Sequence, residues 1–391
     1  MTETRQITNF LRALALIFLG FGMLFLSSPA KADDNLYVIR GISVDETAST
    51  AAAARTKAVE VGQRRAFGTL LRHLVLKAYH SNLPNLSDDE ITPLVSSFQV
   101  ANERSSAQRY LADLTFEFKR DAVRGLLRRN ALPFSESVGK PLLILPVYET
   151  DERSYLWEEP NPWRTVWVNI VGYGARPQEP VEMRDDWAQT FLQPVLVPSG
   201  DLEDIKMINV DQALNLEKDA LEKIREAYGA GGVVVVAARL RTDTDGKLVL
   251  DITRERATDT EPTVVESYRG AGEAESDPQK LMQGAIFDLL GKMQEDWKRK
   301  TVLDFSTETT LAVTTKVSSL KNWLGIQDKV GNLAAVSETR VKDLSVGEAF
   351  WYITFIGSID KLTTSLAQKD LTLVQHDGYW TLDPATAGAE Q

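Results

Sequence analysis

Between residues 229 and 300 the sequence reads as a nearly complete folding unit. Tyr228-Gly229-Ala230-Gly231-Gly232 has the composition of a helix end, Val233 to Leu240 is an unbroken apolar run, and Asp243-Thr244-Asp245-Gly246 is a turn. Leu248 to Ile252 and Thr263 to Tyr268 follow as further strands, and a long amphipathic helix starts at Pro278. A buried strand, a hairpin return and a covering helix are the minimum for a two-layer core. In this helix Asp277 is the expected cap, Pro278 the first helical residue, and Met282, Ile286, Leu289, Met293 and Trp297 the buried stripe.

That unit is a fraction of a 391-residue chain, too long for one ordinary core, so two or three domains are expected. Apolar residues at 43% and charged residues at 25% place it among globular proteins. Residues 1–32 stand apart as a signal peptide. Arg5 and Arg12 precede the apolar run Ala13 to Leu26, and Ala30-Lys31-Ala32 offers small residues at the spacing a signal peptidase needs. The expectation is export to a bacterial periplasm; the alternative is an uncleaved inner-membrane anchor, for which the run is short. With no cysteine in the chain, disulfides, thiolate metal sites and cysteine nucleophiles are excluded.

Without the leader 41 basic and 54 acidic residues remain, a net charge of −13. Residues 33–137 carry 14 basic and 13 acidic groups, 138–300 carry 20 and 30, and 301–391 carry 7 and 11. Nucleic-acid binding rests on neutralising phosphates, so this balance argues against it.

The mature chain divides on paper into three pieces. Residues 33–137 begin with the strand Leu36 to Val44. A helix starts at Thr47 or Ser49, with Val59, Ala66, Phe67, Leu70, Leu71 and Leu74 inward and Arg64, Arg65 and Arg72 outward. Val100 to Arg104 and the alternating Arg109 to Lys119 are strands, and Asp121 to Asn130 is a helix with Arg120, Arg124, Arg128 and Arg129 outward. Residues 138–300 start with Pro141-Leu142-Leu143-Ile144-Leu145-Pro146-Val147, apolar on both faces and hence interior. Pro194 to Pro198 reads as a second buried strand and Val210 to Tyr228 as helix, ended by Gly229. Residues 301–391 repeat the first layout: Phe350 to Leu366, like Leu111 to Leu127, is an alternating aromatic strand feeding a short helix. The tail from Ala385 is expected to be disordered. The fold expected is α+β: a central mixed α/β sheet flanked by two ferredoxin-like α+β units.

No catalytic signature emerges. His73, His80 and His376 sit in no paired ligand spacing, and H-E-x-x-H and G-x-S-x-G are absent. The glycines at 229–232 end a helix instead of opening one, the reverse of a phosphate loop. Asp243 to Gly246 fails the calcium-loop spacing, since Arg241 and Ile252 would occupy ligand positions that need acids. No cofactor is expected, and no pattern marks an apolar cavity of the kind a lipid binder needs.

The stretch richest in binding chemistry is Glu149 to Trp167, with three tryptophans, acids and two arginines leaving the carboxyl end of a buried strand, where open α/β sheets keep their sites. Trp157, Glu158, Glu159, Asn161, Trp163 and Arg164 are the candidate binding residues. The plainer reading is that Trp163 and Trp167, four apart, are core anchors beneath a solvated acidic rim. Arg64, Arg65, Arg128 and Arg129 are candidates for peripheral contact with anionic lipid or an acidic partner, although such charge runs are commonly solvated faces.

Tyr37 to Val44, the helix segment Gly62-Gln63-Arg64-Arg65-Ala66, Pro141 to Val147 and Leu156-Trp157-Glu158-Glu159-Pro160-Asn161-Pro162-Trp163 together resemble a family of exported proteobacterial proteins, the domain of unknown function 2066. The similarity spans most of the mature chain and implies no activity or site residues. The order of elements in residues 138–300 is also similar to that of the amino-terminal α/β domain of TolB, which bears on fold alone. The function expected is non-enzymatic: a periplasmic binding or assembly accessory of the cell envelope, its partner an envelope protein or glycan. The alternative is an envelope glycan hydrolase with two of Glu149, Asp151, Glu158 and Glu159 as general acid and base, which requires carboxyls about 5 to 9 Å apart across a sugar.

Overall fold

Two apolar faces on one strand require a cover on each side, and this is how the centre of the protein is built. The computed structural model describes residues 36–174, 176, 191–256, 263–303, 308–376 and 378–385. The segment expected to be a signal peptide, Asp377 and the tail beyond Ala385 lie outside the described residues.

The first layer contains β1 (Val38–Thr47), α1 (Ala51–Leu74), α2 (Asp88–Ile91), β2 (Val95–Ser105), β3 (Arg109–Phe118) and α3 (Arg120–Arg129). Its three strands pair antiparallel in the order β1-β3-β2. Thr50 caps α1 through its side chain, and Ala58, Ala66, Phe67, Leu70 and Leu74 pack on Leu114, Phe116 and Phe118 of β3. Gly62 is where α1 comes closest to the sheet, since a Cβ there would lie 2.6 Å from Leu114 Cδ1.

The central sheet uses β4 (Leu142–Glu149), β5 (Ser154–Tyr155), β6 (Val195–Leu196), β7 (Gly232–Thr242), β8 (Leu248–Arg256) and β9 (Val264–Arg269), with α4 (Pro162–Val171), α5 (Leu202–Met207), α6 (Val210–Leu214), α7 (Lys218–Ala227) and α8 (Pro278–Thr301). The order is β5-β4-β7-β8-β9, with β6 also beside β4; β4 is parallel to β6 and β7, and β8 and β9 return antiparallel. Leu142, Ile144, Val234 and Val236 face α4 and α8, while Leu143, Leu145, Val233 and Val235 face α6 and α7. The continuous apolar runs in β4 and β7 follow from this double cover.

The third layer has β10 (Glu308–Val317), α9 (Leu320–Gly331), β11 (Val336–Ser345), β12 (Gly347–Ile356), α10 (Ile359–Ala367), β13 (Leu371–His376) and β14 (Tyr379–Pro384). Its order is β11-β12-β10-β14-β13. The first and third layers share the topology β-α-β-β-α with the middle strand third in sequence. They differ from a four-stranded ferredoxin-like sheet in opposite ways. Among the described residues the first has three strands, and the third carries an extra hairpin whose β14 runs parallel to β10.

The end of α8 ties the layers together. A helix of 24 residues is about 36 Å long, more than the central sheet needs. Its first turns bury Leu281, Met282, Ile286, Leu289 and Met293 on the sheet, whereas Trp297 packs with the first layer's core. Trp297 Nε1 donates to Ser137 O at 2.6 Å, Ser135 and Thr301 hydroxyls meet at 2.7 Å, and Lys361 Nζ from the third layer donates to Val302 O at 2.8 Å. Lys298 Nζ donates to Val75 O at 2.9 Å and Arg72 O at 3.1 Å, meeting carbonyls at the end of α1, and pairs with Glu295 at 2.5 Å. No described helix is long and apolar enough to cross a membrane.

Three local expectations change. The helix expected over Val210 to Tyr228 breaks into α6 and α7, with Leu216 at φ 51° between them. Arg124 does not point outward: its guanidinium forms a two-pronged pair with Glu136, whose carboxylate also takes the hydroxyl of Tyr37. The strand expected from Val100 begins at Val95, and its outer residues are mostly exposed because the sheet ends there.

Candidate functional site

The tryptophan-rich stretch is held by its own side chains. Asn161 Nδ2 is buried within 3.1 Å of the carbonyls of Pro146, Tyr155 and Leu156, and its Oδ1 accepts from Arg164 N at 2.9 Å, capping α4. Trp163 is fully buried, donates from Nε1 to Val236 O at 2.9 Å and meets Trp167 edge-on at 5.8 Å. Arg164 is buried beneath Trp157 and Tyr173 and donates to Pro198 O at 3.2 Å and to Ser199 O. Trp157 Nε1 donates to Ile208 O at 2.8 Å. Of the six candidate residues, Glu158 and Glu159 are exposed, and Glu159 accepts from Asn161 N at 3.1 Å. Asp151 pairs with Arg239 at the carboxyl end of the β4–β7 pair, the place expected for a ligand.

A second knot closes the loop after β6. Asp204 is fully buried and accepts from Gly200 N at 2.8 Å, Tyr228 OH at 2.9 Å and Arg176 at 2.8 Å, while Arg176 also reaches Asp201 at 2.9 Å. Burial pushes the Tyr228 phenol up to about 12. The Arg176 guanidinium, together with backbone amides of α5, holds the Asp201 carboxyl well below the usual carboxylate range. The Asp204 carboxylate is thereby both ion-paired and hydrogen-bonded, as a buried charge requires.

An open cleft lies at the opposite end of the sheet, where β4 and β7 begin. Along β8 the α8-facing positions read Leu248, Leu250, Ile252, Arg254, Arg256, so a face that starts aliphatic ends in arginine. Arg254 stands opposite Val236 and Val264, and Arg256 opposite Val234. The last turns of α8 supply Met293, Asp296, Trp297, Arg299 and Lys300, and Leu142 and Gln193 complete a cleft of about 410 Å³. Arginine is seldom placed beneath a helix unless something pairs with it.

The carboxylates near α8 are unevenly shared. About one turn before the cleft, Lys292 pairs with Glu266 at 2.5 Å and Asp288 at 2.7 Å, and Tyr268 OH donates to Asp288 at 2.8 Å. At the cleft Asp296 serves both Arg299, at 2.9 Å, and Arg254, at 3.8 Å. The negative end of the α8 dipole also favours cationic side chains at this place. Among the described residues the lining has the cationic side chains of Arg254, Arg256, Arg299 and Lys300 and the carboxylate of Asp296, over a floor of Leu142, Val234, Val264, Met293 and Trp297.

Neither cleft arginine stands out in a search for motifs; the signal is the break in strand alternation at Arg254. The other basic residues considered from the sequence lie elsewhere. Arg64 pairs with Asp88, Arg65 donates to Ser43 O at 3.2 Å, and Arg128 and Arg129 are exposed at the end of α3. Asp243 Oδ1 accepts from Asp245 N and Lys247 N, both at 2.9 Å, as a hairpin turn should. Among the described residues no group of three or more His, Asp or Glu side chains could hold a metal ion. No protein-family model, no curated protein and no solved structure matches this chain.

Proposed function

We propose that this is a non-enzymatic binding or assembly accessory protein of the bacterial cell envelope, exported by its leader, and that it holds an anionic group of its partner in the cleft between β8, β9 and the end of α8. The observation that carries the reading is the convergence of Arg254, Arg256, Arg299 and Lys300 among the described residues of one cleft, over an apolar floor, in a chain of net charge −11. Basic groups brought together on an acidic protein make a local field that favours anions and disfavours the rest of the surface as their landing place. Ligand sites are concave, mostly apolar and carry a few convergent polar groups, and a volume near 410 Å³ falls in their usual range.

The test compares capture from envelope extracts by the wild-type protein and by a variant with Arg256→Gln and Lys300→Gln. An anionic component identified by mass spectrometry should be enriched by the former and lost with the latter. Equal capture by both, or turnover of an envelope substrate by the purified protein, would overturn the reading.

A further inference from the structure

We infer that this protein associates with a second copy of itself through the free edge of β2. The two strands pair antiparallel about a two-fold axis through Gln99, perpendicular to the sheet, and join their two three-stranded sheets into one. The inference is independent of the cleft and of its ligand.

A long exposed edge strand is ordinarily guarded against such pairing by charges, proline or bulges. β11, an edge of 10 residues, carries Glu338, Arg340, Lys342 and Asp343. β2 has 11 residues, and among the described residues no strand pairs with its outer side. Yet from Val95 to Ala101 it holds no charge, no proline and no glycine. Its two bulges lie between Val95 and Ser97 and between Ala101 and Arg104. They bracket a regular stretch, Ser97-Phe98-Gln99-Val100-Ala101, that pairs residue for residue with Glu117 to Asp113 of β3. The unguarded stretch therefore has Gln99 at its centre, and a two-fold there pairs all of it with no bulge inside the contact.

The same stretch is complementary to itself. Phe98 stacks on Phe116 at 5.8 Å but stays 46% exposed at the sheet edge. About the axis, Phe98 stands opposite Val100 of the second copy and Val100 opposite its Phe98, on the face that holds the buried Leu114 and Phe116. An aromatic beside a β-branched residue is a favourable cross-strand pair. On the other face Ser97 meets Ala101, both small, and the two Gln99 amides meet each other. Glu103 and Arg104 stand at one end of the edge, and Glu90 and Lys119, whose Nζ donates to Pro93 O at 2.9 Å, at the other. Each end carries both signs, so the axis sets no block of one charge against itself. A contact of this length forms about four to six main-chain hydrogen bonds and is smaller than a standard interface, which makes the dimer a weak one.

Sedimentation equilibrium of the protein at low salt tests this, carried to about 200 μM, where an interface of this small class is populated. The weight-average mass of the wild type should rise with concentration towards twice that of the monomer. Gln99→Lys, at an exposed position, sets two ammonium groups across the axis and should weaken association by about fivefold or more. The chain has no cysteine, so Gln99→Cys places its one thiol on the axis, and oxidation with diamide should link two chains by a disulfide. Glu103→Cys should not crosslink, because at about 3.3 Å per residue it lies more than about 20 Å from its counterpart. Monomer at every concentration would overturn the dimer and leave this edge to a strand of another protein. Association that Gln99→Lys leaves unchanged, or equal crosslinking from positions 99 and 103, would overturn the axis and the edge.

Discussion

Replacing Asn161 by alanine should cost this protein more than any other single polar truncation in the tryptophan-rich stretch. The side chain is 1% exposed, and its amide nitrogen lies at 3.1 Å from each of three main-chain carbonyls, those of Pro146, Tyr155 and Leu156. Two N–H groups cannot satisfy three acceptors equally, so at least one hydrogen bond is shared. Truncation removes those bonds and the cap on Arg164 N, at 2.9 Å. A lost cap costs about 1 kcal/mol and each buried acceptor left without a donor about 1 to 3 kcal/mol. With two acceptors stranded the sum is roughly 3 to 7 kcal/mol, read as a shift in the urea midpoint at constant slope. Asn161→Asp separates the two roles, because a carboxylate can still cap α4 but faces the three carbonyls with negative charge. It should be at least as damaging as alanine and should recover stability as pH falls, since burial among acceptors raises its folded pKa and favours the protonated form. A loss below about 1 kcal/mol for Asn161→Ala would refute the reasoning and reopen this stretch as a binding surface.

Other outcomes follow from the seam between α1 and α8. Burial and the nearby Lys298 and Arg72 charges lower the His73 pKa from 6.5 to about 4, so the unfolded chain binds more protons between these values. Stability should therefore fall by about 2 to 3 kcal/mol as pH drops from 6.5 to 4, and His73→Gln should flatten that limb of a pH series of melting curves. Lys298→Met should cost about 2 to 4 kcal/mol in chemical denaturation, because Arg72 O and Val75 O lose their donor and Glu295 its partner. Because methionine matches the length of the lysine stem, a purely packing role for Lys298 would predict a change under about 1 kcal/mol.

What could be read before the structure depended on whether the signal was local. The run Val233 to Leu240, the Gly246 turn and the Asp277-Pro278 helix start are each set by neighbours a few residues apart, and all three form as expected. The stripe from Met282 to Trp297 is also a local period, but its last member packs with a different layer, which no period reveals. Trp163 and Asn161 were visible as unusual residues, whereas their roles depend on carbonyls of Val236 and Pro146 that only the folded chain brings near. Arg254 and Arg256 were overlooked because each looks like an ordinary charged residue at the end of a strand. Only the register against Val264 and Val234, and the end of α8 above them, turns the pair into a cleft wall.

Amide hydrogen exchange of the protein, with and without saturating inorganic phosphate as the anionic probe, tests the central claim most directly. Slowed exchange in Leu248–Arg256, in Val264–Arg269 and in the last turns of Pro278–Thr301, with Trp157 to Trp167 unchanged, is the result predicted. Protection centred on Trp157 to Trp167, or an identical pattern with and without the probe, would contradict it.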